Sequence, residues 1–253
     1  MIQRRSEKEI DLIRAACRTV GEILARLTEI VRPGISTAEL DRYAEEWTHE
    51  SGSIPAFKGY QVGGNVYPAT LCVSINEEVV HGMPSPKRIL SEGDIVGLDF
   101  GVVRDGYYGD SAVTMAVGRT SEKADDLIRV TRESLDRGIE RLQVGNRIRD
   151  VSEAIQTHAE SHGYGVVRDF VGHGIGQRLH EEPQVPNYVG RGQNPRLKEG
   201  MVLAIEPMVC EGTYEVEVLD DGWTAVTRDR RLSAHFEHSV AVTSNGPEVL
   251  TLA

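Results

Sequence analysis

Leu90-Ser91-Glu92-Gly93-Asp94-Ile95-Val96-Gly97-Leu98-Asp99 returns in altered form as Leu197-Lys198-Glu199-Gly200-Met201-Val202-Leu203-Ala204-Ile205-Glu206. Both stretches read Leu-x-Glu-Gly, then an apolar strand, then a carboxylate. Upstream, Asp11-Leu12-Ile13-Arg14 recurs verbatim as Asp126-Leu127-Ile128-Arg129, and each copy opens a helical pattern that stops at a glycine, Gly34 or Gly145. A second helical segment follows in each half, running to Gly52 and to Gly163. A four-residue identity alone is no more than chance; the shared order of the matches makes a duplicated half-domain the better reading. The chain is therefore expected to be one α+β domain over residues 1–253, with halves of roughly 1–120 and 121–253. Each half runs helix, helix, strands. Two such halves facing each other across a pseudo-twofold axis would leave a cleft at their join.

Local signals agree with this layout. Ser6-Glu7-Lys8-Glu9 and Ser36-Thr37-Ala38-Glu39 are capping-box patterns at helix starts. Ile10, Ile13, Cys17, Val20, Leu24, Leu27 and Val31 recur at helical spacing until Pro33-Gly34 ends the run. Between two strand-like runs, Arg104-Asp105-Gly106-Tyr107 carries the Asp-Gly signal of a two-residue hairpin turn. That turn pairs Arg104 with Tyr107, Gly101 with Asp110 and Asp99 with Ala112, so Asp99 and Asp110 share one face as diagonal neighbours. Ile95, Val96, Leu98, Phe100, Val113 and Met115 make the hairpin apolar on both faces, which implies burial. Unpaired carboxylates are costly there, and a cation between them is the favoured explanation.

The repeat extends the set. Glu206 is the counterpart of Asp99, and Ala234–Val242 reads as a strand carrying Glu237, which by symmetry faces Glu206 as Asp110 faces Asp99. His173 lies in Gly172-His173-Gly174-Ile175-Gly176, where glycines let the backbone pass close to a neighbour and leave the imidazole uncrowded. The same run lacks the Gly-Lys-Ser/Thr ending of a phosphate loop. Four carboxylates and one imidazole are many charges for one ion and suit a carboxylate-bridged pair, roughly 3.5–4 Å apart. The oxygen-rich set favours Mn, Fe or Co over a purely structural zinc. No His-Glu-x-x-His helix occurs.

Composition bounds the rest. A formal charge of −11 argues against nucleic acid or an anionic membrane surface as partner. Three cysteines are too few and odd in number for a disulfide framework. The basic pair Arg4-Arg5 has no apolar signal core behind it, and no apolar run approaches the roughly 18 residues of a membrane span. A cytoplasmic protein is expected.

Taken in order, His81, Asp99, Asp110, His173, His180, Glu206 and Glu237 resemble the active-site series of type I methionine aminopeptidases. Val73-Ser74-Ile75-Asn76-Glu77 leading to His81-Gly82, Gly109-Asp110, His180-Glu181-Glu182-Pro183, Glu206-Pro207-Met208 and Asp221-Gly222-Trp223-Thr224 extend the match over nearly the whole chain. The resemblance implies the pita-bread fold, with pseudo-twofold halves around a central antiparallel sheet. It implies two divalent metal ions (Co, Mn, Fe or Zn) in the cleft, with Asp99 on one, Asp110 and Glu237 bridging, and His173 and Glu206 on the second. Glu206 would also relay protons, and His81 and His180 would contact the scissile peptide group. The first side chain would sit among Phe57, Tyr60, Tyr67, Cys72, Leu179 and Trp223. The implied reaction is removal of the initiator methionine from newly made proteins whose second residue is small, by attack of a metal-bridging water or hydroxide on the first peptide bond. The implied partners are nascent polypeptide N-termini and, transiently, the ribosome, for a monomeric enzyme.

Two features depart from the family pattern. Leu179 stands where an aromatic residue is common, and Tyr60–Tyr67 looks longer than the usual segment between the two pocket tyrosines. Both touch the side-chain pocket. The chain also starts directly at the catalytic part, without the amino-terminal extension that some relatives carry for ribosome contact. A prolidase or aminopeptidase P of the same fold is the nearest alternative, but those relatives normally carry a domain before the catalytic part. A non-catalytic pita-bread binding protein would have lost the ligand positions, which are all present here. His49, His158, His162, His235 and His238 match nothing in the family pattern and are taken as structural.

Overall fold

Two helices open each half of the chain in the computed structural model, which describes residues 2–252. The first half runs α1 (Glu7–Ile30), α2 (Thr37–Glu50), β1 (Ile54–Pro55), β2 (Gln61–Val62), β3 (Asn65–Val66), β4 (Leu71–Ile75), β5 (Glu78–Val80), β6 (Ile95–Arg104) and β7 (Tyr107–Ala116). The second half holds α3 (Glu122–Glu140), α4 (Ile148–Ser161), β8 (Gly165–Val166), β9 (Gly172–Gly174), β10 (Glu181–Val185) and β11 (Val202–Ile205). It continues through β12 (Met208–Cys210), β13 (Val216–Val218), β14 (Ala225–Thr227), β15 (Ser233–His235), β16 (Glu237–Thr243) and β17 (Gly246–Val249). Seven strands follow one path, β1-β6-β7-β16-β11-β9-β10, with β4 beside β6 and β17 beside β16; every pairing is antiparallel.

The helix starts are built as expected. Ser6 and Ser36 each accept from the backbone three residues on, while Glu9 and Glu39 return the bond to the cap. Such reciprocal caps satisfy two amides that the helix itself cannot. Helix α1 lays Ala16, Val20, Ile23, Leu24 and Leu27 on the sheet face formed by Leu98, Phe100 and Val102. Gly109 permits the approach, because a Cβ there would lie 2.7 Å from the Cys17 amide nitrogen. In the second half Leu135, Ile139, Val151 and Ile155 cover Leu203, Ile205, Val240 and Val242 in the same manner. Truncating one fully buried member such as Phe100 to alanine would cost about 3–5 kcal/mol.

The duplication is visible in backbone detail. Gly34 N–H donates to Leu90 O at 2.8 Å and Leu90 N–H to Ile35 O at 2.9 Å; Gly145 N–H donates to Leu197 O at 3.0 Å and Leu197 N–H to Asn146 O at 2.7 Å. Both glycines need positive φ, +90° and +96°, where a side chain would be strained. The halves meet where β7 pairs β16 through only Glu237↔Ala112 and His238↔Ser111. Side chains lace this short seam: Ser111 Oγ donates to Glu237 O at 2.5 Å, Ser239 Oγ to Asp110 O at 2.8 Å and Thr114 Oγ to His235 O at 2.7 Å.

One expectation is corrected. Ala234–Val242 is not a single strand: β15 ends at His235, β16 begins at Glu237, and Phe236 between them belongs to neither. β15 pairs β12, whereas β16 joins the central sheet. The apolar run looked continuous because both pieces are buried.

Candidate active site

The hairpin turn places the first pair of carboxylates. Asp105 and Gly106 take φ of 50° and 78°, as a two-residue turn of the hairpin type requires, and the register follows: Arg104↔Tyr107, Gly101↔Asp110, Asp99↔Ala112. Directly paired residues of antiparallel strands point to one face. Cys72 pairs Asp99, Asp99 pairs Ala112, and Ala112 pairs Glu237, so all four share a face with Asp110. On β9, His173 pairs Ala204, two residues before Glu206, and joins the same face. Ile205 pairs His238, so Glu206 follows directly opposite Glu237. The expected symmetry therefore holds for the elements and not for the offset: Asp99 and Asp110 are diagonal, Glu206 and Glu237 opposite.

His173 is held for ligation. Its Nδ1 lies 3.0 Å from Gly174 O, and since a carbonyl only accepts, Nδ1 carries the hydrogen. The bare Nε2 then faces Glu206 Oε1 at 3.5 Å and Asp110 Oδ2 at 4.0 Å. The flanking glycines serve close strand packing: a Cβ on Gly172 would meet Ala204 O, and one on Gly174 would meet Glu182 O, both at 2.4 Å. Asp99 Oδ1, Asp110 Oδ1 and Glu237 Oε1 are buried with no hydrogen-bond partner. Burial pushes the Asp99 carboxyl up to about 7; burial, then the neighbouring carboxylates, pushes Asp110, Glu206 and Glu237 well above the ordinary range. Burial pushes His173 down to about 3. Orphaned hard oxygens beside a bare imidazole nitrogen fit divalent cations, whose charge would reverse the carboxyl shifts and deepen that of His173. Oxygens of Asp110 and Glu237 and a nitrogen of His173 lie within 4.8 Å of one another.

All the expected site residues line one cleft of about 170 Å³: Asp99, Asp110, His173, Glu206 and Glu237, with His81, His180, Phe57, Tyr60, Tyr67, Cys72, Leu179 and Trp223. His81 reaches it from a backbone φ of 60° and packs edge-on to Phe170. His180 is set by the Glu181 carboxylate, which accepts from the Gln177 and Arg178 amides at 3.0 and 3.1 Å and pairs with Arg5 at 2.5 Å. Its Nδ1 lies 2.6 Å from the Tyr60 hydroxyl. The segment between the tyrosines is a β2–β3 hairpin over Gly63-Gly64, closed where Tyr67 N–H donates to Tyr60 O at 2.8 Å. Tyr67 and Trp223 meet edge to face at 5.2 Å between centroids. Burial and the Asp99 charge hold the Cys72 thiol well above its usual range, so it is a wall and not a nucleophile.

Sequence reasoning missed His235. Taken as structural, it is buried with Nε2 unpartnered and 3.8 Å from Glu206 Oε2. Its one signal was proximity to Glu237, and that was masked by reading the segment as one strand. Val62, Val80, Phe170, Val171 and Met208 also line the cleft unannounced. His238 is structural as expected, with Nδ1 2.7 Å from Thr251 Oγ1.

The sequence pattern of Metallopeptidase family M24 matches residues 11–244. The chain belongs to family M24. A methionine aminopeptidase of Clostridium acetobutylicum is 52% identical over 252 residues, covering 100% of this chain and 99% of that one. The crystal structure of a Thermotoga maritima methionine aminopeptidase superposes with a TM-score of 0.96 at 45% identity, covering both chains fully. A Pyrococcus horikoshii prolidase shares the fold at a TM-score of 0.79 and 25% identity, with 98% of this chain matched to 63% of the prolidase. The curled antiparallel sheet flanked by paired helices is thus the pita-bread fold of M24, and membership implies divalent metal ions in the carboxylate-lined cleft. Among the described residues of this M24 chain, no helix is long and apolar enough to cross a membrane.

Proposed function

We infer that this protein is a metal-dependent aminopeptidase that removes N-terminal methionine. The observation that carries the reading is one cleft in which buried Asp110, Glu237 and His173 and half-buried Asp99 and Glu206 lie together while Phe57, Tyr60, Tyr67, Cys72, Leu179 and Trp223 form an apolar pocket beside them. A flexible thioether packs well against aromatic and sulfur atoms. We assign two divalent ions, Co, Mn, Fe or Zn, to the floor: Asp99 on one, Asp110 and Glu237 between both, His173 and Glu206 on the second. Bound there, such ions supply Lewis acidity that polarises the scissile carbonyl and makes a water acidic enough to attack at neutral pH.

The chain's own groups do the rest. The pocket walls bury the methionine side chain and orient the first peptide bond over the floor. The Tyr60 hydroxyl shares a 2.6 Å hydrogen bond with His180 Nδ1, and the opposite ring edge of His180 is assigned to the substrate's peptide group. His81, which lines the same cleft, is the second group assigned to that peptide. Hydrolysis breaks the C–N bond, places a hydroxyl on the carbonyl carbon and a proton on the leaving amine; Glu206 is the carboxyl that relays this proton. The substrates in this reading are nascent polypeptide N-termini with a small second residue, in the cytoplasm, and the enzyme acts as a monomer with transient contact to the ribosome.

The test compares kcat/KM for Met-Ala, Met-Ser, Met-Lys, Met-Leu and Leu-Ala peptides. Met-Ala and Met-Ser should lead, with activity lost to chelator and restored by metal. A missing contact of methylene size shifts discrimination by roughly 1–3 kcal/mol, so Leu179 and the β2–β3 hairpin can admit leucine only at reduced rate. Equal or faster cleavage of Leu-Ala would make this a general aminopeptidase.

A further inference from the structure

Helices α3 and α4 lie side by side in the second half, and outside the cleft they bring together Glu133, His158 and His162. One ligand atom from each lies within 4.8 Å of the other two. His158 Nε2 is 2.9 Å from Glu133 Oε2, and the two imidazole rings stand 4.6 Å apart between centroids. His158 and Glu133 are half-buried and His162 is exposed, so an ion can enter from solvent.

The surroundings orient the cluster. His162 Nδ1 lies 2.9 Å from His158 O, a carbonyl of the last turn of α4. A carbonyl only accepts, so Nδ1 carries the hydrogen and Nε2 keeps its lone pair. A ligand histidine whose other nitrogen donates to a carbonyl is the usual arrangement around bound metals. Arg129 Nη1 donates to both Glu133 oxygens at 2.8 Å, and its Nη2 is anchored on Asp126 at 2.5 Å. Hydrogen bonds from Arg129 hold the Glu133 carboxyl below its ordinary range, so it is ionised at neutral pH. Oε2 is the oxygen beside His158, and an ion bound there would take the place of the Arg129 contact to it.

We propose that Glu133, His158 and His162 form an accessory zinc site that clamps α3 to the C-terminal end of α4. Two imidazoles and one carboxylate, with water in the fourth position, are a donor set for Zn²⁺ in tetrahedral geometry and a poor one for Mg²⁺ or Ca²⁺. The ion takes the Nε2 lone pairs of both histidines and Oε2 of Glu133. His158 then carries its ring hydrogen at Nδ1, so a neutral His158 releases no net proton. This site is independent of the cleft, and its chemistry differs from that of the cleft's four carboxylates and single imidazole.

The experiment is equilibrium dialysis of the metal-loaded enzyme against zinc at pH 7.5, with elemental analysis, for the unaltered protein, His162→Ala and Glu133→Gln. The unaltered protein should retain one zinc equivalent more than either variant, and zinc should raise its Tm by several degrees more. All three should cleave Met-Ala at the same rate. Should His162→Ala fold poorly by circular dichroism, Glu133→Gln and His162→Gln decide, because neither alters the helix backbone. Equal zinc stoichiometry in the folded variants and the unaltered protein overturns the site.

Discussion

Asp99 and Glu237 stand two strands apart on a single cross-strand row, each paired with Ala112 of β7 from opposite sides. Adjacent strands are about 4.8 Å apart, so the two backbones are separated by about 9–10 Å, and both side chains line the same cleft. The residue between them has to be small. Alanine leaves that gap open without interrupting the buried strand.

Replacing Ala112 by leucine should therefore damage the enzyme without removing any candidate ligand. The new side chain would fill the gap between Asp99 and Glu237, lowering kcat/KM for Met-Ala by at least about 10²-fold, the scale of one lost transition-state contact. Overpacking should cost about 1–3 kcal/mol of stability. Elemental analysis should find reduced metal content. A variant that retains both metal and rate would remove Ala112 from the site.

Asp99→Asn and Asp110→Asn should each abolish peptide hydrolysis, because a neutral amide oxygen binds divalent ions poorly and cannot bridge two of them with charge. Several kcal/mol of Lewis-acid stabilisation would go with the ions. Metal-free stability should be equal or higher, since both aspartates are buried carboxyls without partners at Oδ1. Full activity of either variant at saturating metal would sink the two-ion assignment.

Metal-free protein should lose stability as pH rises toward about 7, where the Asp99 contribution is exhausted, and beyond it as far as Asp110, Glu206 and Glu237 still hold protons. The Asp99 carboxyl, ordinarily at 3.8, is pushed up to about 7, and Asp110, Glu206 and Glu237 are also raised, so the folded state holds protons that the unfolded state has lost. Stability from raised groups is present at low pH and declines through the folded pKa, by about 1.4 kcal/mol per pH unit for each extra proton held. His173 works oppositely, because its folded pKa of about 3 lies below the ordinary 6.5, but its contribution is complete above that value. Thermal unfolding in chelator at pH 6.5, 7.5 and 8.5 should show a falling Tm, and bound metal should flatten or reverse the trend. A chelated Tm that climbs across this range contradicts the buried-carboxylate account.

His81→Ala and His180→Ala should each lower turnover by roughly 10²-fold with metal content unchanged, as expected of groups that touch substrate rather than ions. Tyr60→Phe should reproduce part of the His180 effect, roughly 10-fold, because it removes the 2.6 Å contact at Nδ1 that orients the ring. A metal ion lost from His180→Ala would place that histidine among the ligands.

The sequence alone carried the duplication, both capping boxes and the β6–β7 register, because each depends on neighbours. A two-residue Asp105-Gly106 loop sets every pairing in its hairpin, and a slip of one residue would turn Asp99 out of the cleft. Four of the candidate ligands, Asp99, Asp110, His173 and Glu237, sit at strand positions and Glu206 directly follows β11, so local pattern was enough to single them out. The tertiary structure decided what joins residues far apart in the chain. The β7–β16 seam, the break at Phe236 that brings His235 to Glu206, the Tyr60–His180 contact and the Glu133–His158–His162 cluster all depend on how two separately packed layers of helix and sheet come to rest. Periodicity reports which face of an element is buried. It does not report what that face meets, since that is set by side-chain packing summed over both halves.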